Sequence, residues 1–138
     1  MNEIKPAAFS FEKFEIINFS YSKASVSSSE LNLELTPSGV YDSLEGVFRL
    51  RFDFYAYTDN KDTSEITATV VANFLFDDKP DFNKLPSYFY NNSMALVFPY
   101  LRAFISTLTL QANVPPIILP VINLTGFEAE LKANTVEE

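Results

Sequence analysis

The sequence predicts a single α+β domain, in which a four-stranded antiparallel sheet is followed by two C-terminal helices packed on one face. Apolar and polar residues alternate in several runs up to Phe76, which is the pattern of half-buried strands. After the charged, proline-containing segment 77–81, the apolar spacing becomes helical. The chain has 138 residues, the size of one domain, so residues 1–138 are expected to fold as one unit.

The first predicted strand contains a change of phase. Its apolar residues form two alternating runs that shift between Phe11 and Phe14, which indicates a bulge or bend in one long strand. These residues are Phe9, Phe11, Phe14, Ile16, Phe19 and Tyr21. A serine-rich stretch at 22–30 leads to alternating leucines, which Pro37 interrupts. We interpret these as a short strand within a crossover connection.

Two further strands form a hairpin. Residues 45–57 alternate apolar with charged or tyrosine residues, and the polar segment 58–63 connects them to the next strand. That strand places six apolar residues on one face: Ile66, Ala68, Val70, Ala72, Phe74 and Phe76. Segment 77–81 ends the sheet, because proline cannot donate to a strand ladder and the charges require water.

The C-terminal third predicts two helices with very few charges. Pro99 either begins the main helix or kinks a longer one that starts near Asn92, and residues 113–116 end it. A short final helix capped by Thr125 follows, and residues 134–138 are expected to fray.

Arg102 is the only charged residue between Lys84 and Glu128. A helix on a protein surface normally presents a charged face to water, so we expect this segment to be covered by another subunit. The candidate oligomer interface is the stripe Leu101, Phe104, Ile105 and Leu108. Alternatively, this stripe packs on its own sheet, and Arg102 is either a buried cation with a carboxylate or carbonyl partner or a solvent-facing side chain.

The composition excludes several functions. Phe and Tyr number 14 and 7, apolar residues make up 47%, and the formal net charge is −8, so we expect an aromatic core and no nucleic-acid partner. Cys and His are absent, which excludes disulfides, thiol nucleophiles, imidazole bases and the usual zinc sites. No carboxylate pair suggests acid–base catalysis. The acidic segments 59–62 and 77–81 lack the glycine and terminal glutamate spacing of a calcium-binding loop. We therefore expect no enzyme, no catalytic residue, no metal and no cofactor.

The N-terminal residues 1–6 lack the apolar segment of a signal peptide, and no run reaches the roughly 18 uninterrupted apolar residues of a membrane span. We therefore expect a cytoplasmic protein without membrane insertion.

The motif Phe98, Pro99, Tyr100, Leu101 and Arg102 resembles the helix of the SecB family of protein-export chaperones, which carries an aromatic residue, Pro, Tyr, a small residue and Arg. The resemblance continues through Ile105 to Leu108 and through the proline-rich link from Val114 to Leu124. It implies a homotetramer, built as a dimer of dimers, that binds non-native preproteins without nucleotide or metal.

Two departures from the family pattern bear on the partner. Pro120 lies one position earlier than the family's second proline, and Asn18, Ser22 and Thr69 stand at its acidic docking positions. These replacements weaken the case for delivery to the SecA motor. A chaperone dedicated to one client, such as the antitoxin of a toxin–antitoxin system, is a variant of the same hypothesis.

Holding unfolded chains requires exposed apolar and aromatic surface together with accessible strand edges. The candidate groove residues are Phe19, Tyr21, Tyr41, Tyr55, Tyr57, Tyr88, Phe89 and Tyr90, because tyrosine can bury its ring while its hydroxyl stays wet. For each residue alone, packing in the core or at its rim is the competing interpretation. Two alternatives from other classes are a small α+β protein that encloses an apolar ligand or acts as an enzyme, and a purely structural assembly subunit.

Overall fold

The computed structural model describes residues 8–22, 31–120 and 122–138. A long helix packs on one face of a five-stranded sheet with the strand order β1-β4-β3-β2-β5. The elements are β1 (Phe9–Tyr21), β2 (Asn32–Asp42), β3 (Val47–Tyr57), β4 (Ile66–Phe76), α1 (Ser87–Gln111), α2 (Glu128–Ala133) and β5 (Thr135–Glu137). Short 3₁₀ turns lie at Lys61–Thr63, Phe82–Lys84 and Leu124–Phe127. The α+β prediction is confirmed.

Strand β1 forms one edge of the sheet and pairs antiparallel with β4. Its register shifts between Phe11 and Lys13, which confirms the predicted bulge, and shifts again between Ile16 and Asn18. The chain then returns as β2 on the far side of β4 and β3, so the predicted crossover is also confirmed. The serine-rich part of this connection, residues 23–30, lies outside the described residues.

Strand β2 is longer than the sequence predicted. Pro37 does not interrupt it, because the strand pairs with β3 without a register shift from Asn32 to Asp42. The Pro37 carbonyl oxygen faces the outer edge of β2, where it accepts a 3.0 Å hydrogen bond from Asn134 Nδ2. The Pro37 nitrogen, which has no hydrogen to donate, faces this same edge. The hydrogen bonds between β2 and β3 therefore stay intact.

The C-terminal residues form a fifth strand, so the expectation that residues 134–138 fray is wrong. Strand β5 runs parallel to β2, with Thr135 opposite Gly39. The hydroxyl of Thr135 donates to the Leu131 carbonyl at 2.6 Å inside the core. A Cβ at Gly39 would lie 2.5 Å from Cζ of Phe48 and 3.0 Å from Oγ1 of Thr135. Glycine at position 39 therefore allows close packing beneath β5.

The core lies between the inner face of the sheet and α1. All six residues predicted to line one face of β4 are buried, and β3 buries its even-numbered residues while Arg49 and Arg51 stay exposed. The ring of Phe89 is the centre of an aromatic cluster, with centroids 4.7 to 5.5 Å from those of four other rings. These are Phe9, Phe48, Phe74 and Phe76.

Helix α1 begins earlier than predicted, at Ser87 directly after Pro86, and it contains Pro99 in its interior. The interpretation of Pro99 as part of a longer helix is therefore confirmed, whereas the start near Asn92 is wrong. By length and composition α1 could also cross a membrane; in this structure one of its sides packs on the sheet, and 33% of its most apolar window is buried. The prediction that Thr125 caps the final helix is also wrong. The Asn123 side chain caps the 3₁₀ turn Leu124–Phe127 by accepting a hydrogen bond from the Thr125 N–H at 3.1 Å.

Candidate functional site

An apolar groove lies between the N-terminal half of β2 and the chain that links α1 to α2. Its volume is about 250 Å³. Its lining is apolar except for Glu34 and consists of Leu33, Glu34, Leu35, Phe54, Phe98, Leu119, Pro120, Ile122 and Phe127. We call this feature the β2 groove.

The strand alternation of β2 positions one wall of the groove. Leu33 and Leu35 share a face of β2, and Leu35 stands opposite Phe54 of β3 on the core side of the sheet. Leu33 is 40% exposed, so apolar surface remains accessible at the mouth. Phe98 of α1 closes the groove from the helix side and is almost completely buried.

Hydrogen bonds to α1 hold the opposite wall in place. The Ser106 hydroxyl donates to the Ile117 carbonyl at 3.0 Å, and the Ile117 N–H donates to the Thr109 hydroxyl at 2.9 Å. Both hydrogen bonds stabilise the link between α1 and α2, whose residues 115–120 have no regular secondary structure. They satisfy backbone groups of the link and hold Leu119 in the core, where it is 2% exposed.

The single charge in the lining is paired on the outer side of the sheet. Glu34 accepts a hydrogen bond from the Tyr57 hydroxyl at 3.2 Å, and its other oxygen lies 3.3 Å from Lys61 Nζ. Lys61 Nζ also lies over the ring of Tyr55, 4.5 Å from its centroid. Burial and the Glu34 hydrogen bond raise the pKa of Tyr57. Among the described residues, the groove therefore offers mainly apolar contact, and its only titratable side chain, Glu34, is paired on the outer side of the sheet.

The predicted groove residues do not line one groove. Tyr55 and Tyr57 are half-buried on the outer face of the sheet, and Tyr88 is exposed at the start of α1. Phe19 and Tyr21 lie at the end of β1, where the Phe19 ring packs edge-to-face on Phe104 at 5.3 Å. These residues are thus distributed over three separate surfaces.

Three of the predicted groove residues belong to the core, and their assignment to a client surface is wrong for this chain. Tyr41 and Phe89 are 0% exposed and Tyr90 is 3% exposed. The Tyr41 hydroxyl donates to the Pro80 carbonyl at 2.6 Å. Burial raises the pKa of Tyr41, and the carboxylate of Asp78 raises it further.

The predicted interface stripe faces its own sheet. Leu101 and Ile105 are fully buried within the chain, and Phe104 and Leu108 are half-buried against the same core. The assignment of Leu101 and Ile105 to a subunit contact is therefore wrong, and the alternative that the stripe packs on its own sheet is correct for these two residues.

The opposite side of α1 remains uncovered. We call it the outward face of α1; its large exposed residues include Leu96, Tyr100 and Leu110, and the smaller exposed residues Ala95, Pro99 and Ala103 lie beside them. A shallow depression of about 450 Å³ runs along it towards the exposed Ile118 of the link. Arg102, which is half-buried beside this depression, is the only charge of the helix and has no hydrogen-bond or ion-pair partner in the described ranges.

The remaining motif residues belong to this surface. Tyr100 stacks on Phe14 of β1 with centroids 4.3 Å apart, and Pro99 is exposed. The outward face is therefore continuous with an aromatic rim on β1, where Phe14, Ile17 and Phe19 are 37%, 52% and 54% exposed. Across residues 8–22, 31–120 and 122–138, no three acidic side chains group closely enough to hold a metal ion.

Comparison with known proteins identifies the fold. No family model matches the sequence. A 41-residue segment is 56% identical to the uncharacterized protein MJ0357 of Methanocaldococcus jannaschii, covering 30% of this chain and 26% of that protein. The match thus spans about a quarter of that relative.

Two solved structures resemble the chain. One is the Mycobacterium tuberculosis SecB-like chaperone Rv1957 in complex with a ChAD peptide from the HigA1 antitoxin, with a TM-score of 0.69, 18% identity, and coverage of 84% of this chain and 88% of that one. The other is a protein of unknown function from Streptococcus agalactiae, with a TM-score of 0.45, 12% identity, and coverage of 82% and 97%. The similarity to Rv1957 shows that the chain has a SecB-like fold.

Proposed function

We propose that this protein is a holdase chaperone that binds unfolded segments of other polypeptides in the β2 groove. The observation that carries the proposal is an accessible groove on a SecB-like fold, with an apolar lining whose single charge is paired elsewhere. Such a surface binds apolar side chains without selecting a sequence, because hydrophobic contact is non-directional. The proposed binding uses no nucleotide, metal or cofactor.

A homotetramer, built as a dimer of dimers, is the proposed assembly. Two uncovered surfaces support it. The outward face of α1 exposes large apolar side chains and has one charge in 25 residues, which is unusual for a helix that meets water. Within the described residues, the outer edge of β1 is a second open surface, thirteen residues long and flanked by the exposed aromatic rim, and unpaired strand edges readily pair with another chain.

A client-dedicated chaperone is the second candidate, and two observations favour it over general export. Rv1957 was solved with an antitoxin peptide. In this chain, Asn18 and Thr69 face each other across β1 and β4, where the family resemblance implies acidic docking residues for SecA. Thr69 donates to Asp53, which is itself paired with Arg51. This part of the sheet therefore offers a largely neutralised polar surface to a motor protein.

Suppression of client aggregation tests the proposal. A chemically denatured model protein is diluted into buffer with the chaperone, and its light scattering is followed. We expect the wild-type chain to suppress scattering and Leu33→Asp to do so several-fold less well, because a carboxylate at the mouth of an apolar groove opposes burial of apolar side chains. Leu33 is 40% exposed, so the fold should tolerate the change.

Leu44→Asp is the matched control, since Leu44 is 84% exposed on the turn between β2 and β3, away from the groove. It should suppress aggregation as well as the wild type. A wild-type chain that leaves aggregation unchanged would contradict the holdase proposal. Equal loss of activity in the two variants would contradict the assignment of the β2 groove as the binding site.

A further inference from the structure

We propose that the outer face of the sheet carries a binding site of its own, which holds an acidic segment of a partner protein against Arg49 and Arg51. These arginines are exposed on β3, on the opposite face of the sheet from the β2 groove. The inference goes beyond the proposed function, because it concerns a partner recognised by charge rather than a client held by apolar contact.

The two arginines lie at the centre of a cleft of about 240 Å³ over β2, β3 and β4. Each arginine stands directly opposite one polar residue and one valine of the neighbouring strands, and residues paired in this way share a face of a sheet. We call this feature the arginine cleft. In strand register, Val40 and Asn73 flank Arg49, and Ser38 and Val71 flank Arg51.

The charges of the two arginines are compensated to different extents. Arg51 donates from Nε and Nη2 to the two carboxylate oxygens of Asp53, at 3.0 and 3.1 Å. Nη1 of Arg49 lies 3.6 Å from Oε2 of Glu138, which is beyond hydrogen-bond length. Arg49 therefore keeps N–H groups available for another carboxylate, and guanidinium binds carboxylates in a bidentate manner.

The position of Glu138 indicates that a carboxylate can approach this cleft. Glu138 follows β5, and its side chain and that of Arg49 are 52% and 55% exposed. An exposed ion pair of this kind contributes little free energy. A carboxylate of another chain can therefore replace Glu138 beside Arg49, and Glu138 acts as a weak internal competitor.

Spacing and lining define the ligand. The two arginines are two residues apart on one strand, about 7 Å, which is also the distance between alternate side chains of an extended peptide. Val40 and Val71 offer apolar contact to the methylene groups of a glutamate side chain. The half-buried Ser38 and Asn73 carry donors for further carboxylate oxygens. The ligand that fits is an extended segment with glutamates at positions i and i+2.

The surrounding charges favour a short acidic segment over a nucleic acid. Glu15 and Asp42 lie on the same face of the sheet, since each belongs to a row of directly paired residues with Val71 or Val47. Together with the formal charge of −8 they repel a long polyanion. Screening over about 8 Å at physiological salt lets a short segment interact mainly with the two arginines.

A peptide probe without apolar side chains separates this cleft from the β2 groove. The probe is a fluorescent peptide of about eight residues, with Glu-Ser-Glu at its centre and glycine and serine on both sides. Its isomer has the same composition with the two glutamates adjacent, so that they point to opposite sides of an extended chain. Binding is measured by fluorescence anisotropy. We expect the isomer to bind several-fold more weakly, and equal affinities would overturn the i, i+2 fit.

Arg49→Gln should weaken binding of the Glu-Ser-Glu peptide about tenfold, because charge-assisted hydrogen bonds are lost. Lys132→Gln is the control, since it makes the same change of charge at an exposed position of α2. It should leave the affinity unchanged. Equal weakening in the two variants would mean attraction to overall charge and would overturn the site.

Glu138→Gln tests the competition from the other side. It should tighten peptide binding several-fold more than Glu130→Gln, which makes the same change of charge at an exposed position of α2. Equal effects of these two variants would overturn the placement of the ligand beside Arg49.

Two other occupants of the cleft give different results. A smaller mass of Arg49→Gln than of the wild type in light scattering would assign the cleft to a second copy of this chain and overturn the proposal. Displacement of the peptide by an equal concentration of an oligonucleotide of the same charge would also overturn it. A peptide that fails to bind, beside normal suppression of client aggregation, would overturn this inference alone and leave the holdase proposal standing.

Discussion

The hydroxyl of Tyr41 is a polar group inside an aromatic core. Its ring is fully buried beside Phe48 and Phe76, and its O–H donates to the Pro80 carbonyl. This hydrogen bond connects the loop after β4 to strand β2. Because burial disfavours the phenolate, the pKa of Tyr41 lies above its usual value.

Tyr41→Phe should lower the free energy of unfolding near pH 7 by about 1 kcal/mol, since it removes one hydrogen bond and leaves a buried carbonyl unpaired. In the wild type, the raised pKa of Tyr41 corresponds to a stabilising contribution that is fully present below about pH 10. This contribution is lost as the pH rises further, because the tyrosine of the unfolded chain releases its proton first. The stability difference between variant and wild type should therefore shrink above pH 10. Urea unfolding at several pH values measures it.

Tyr90→Phe is the control. Tyr90 is buried with a raised pKa, and its hydroxyl makes no hydrogen bond within the described ranges. Its removal should leave neutral stability nearly unchanged while reducing the loss at high pH. A Tyr41→Phe protein as stable as the wild type at pH 7 would contradict the role given to the Pro80 contact.

At the level of single residues, alternation predicts the buried faces of β3 and β4 but not the candidate groove. The prediction that Tyr41 lines a groove rests on its amphipathic side chain, and a separate prediction interrupts β2 at Pro37. Had β2 been continued, the period of two would have placed Tyr41 on the same inward face as Leu33 and Leu35. The groove itself joins β2 to a link more than eighty residues later. No local pattern contains that contact.

Helix α1 contains Pro99 at a solvent-exposed position. Proline removes the N–H that would bond to the carbonyl of Ala95, one turn earlier, and Ala95 is also exposed, so water can satisfy the free carbonyl. The helix therefore carries the proline at reduced cost, while Phe98 and Tyr100 on either side keep their contacts with the groove and with β1.

Pro99→Ala should raise the stability of the fold by about 1 kcal/mol or more, because alanine restores the hydrogen bond and is the better helix former. Thermal unfolding followed by circular dichroism measures this as a rise of several degrees. Thr107→Ala, at another exposed position of α1, controls for helix propensity alone and should give a smaller rise. A lower unfolding temperature for Pro99→Ala would mean that the packing of Phe98 and Tyr100 requires the proline geometry.

Strand β5 is not predicted by the sequence because it is short and depends on a distant strand. It has three residues and no alternating run long enough to predict a strand. Its position depends on β2, through backbone bonds to Gly39 and Tyr41 and the side-chain bond of Asn134. Short elements that depend on distant partners are not visible in local sequence.

For the whole molecule, the scarcity of charge in the C-terminal third is the strongest sequence evidence for a covered helix, but it does not tell which side of α1 a partner would cover. It indicated that both sides of α1 are unsuited to water, but two apolar sides cannot be told apart without the sheet. The stripe that contains Leu101 and Ile105 packs inside the chain. The side left for a partner is the outward face, with Leu96, Tyr100 and Leu110.

Ala103→Glu tests whether a second copy covers this face. Ala103 is exposed and small, so the carboxylate should not disturb the isolated chain, whereas burial in an interface would cost several kcal/mol unless it found a cationic partner. We expect the wild type to show the mass of a tetramer in light scattering and Ala103→Glu a smaller mass. Ala129→Glu, the same change on an exposed position of α2, should keep the wild-type mass. A wild-type monomer at micromolar concentration, or an Ala103→Glu protein of unchanged mass, would contradict an interface on the outward face of α1.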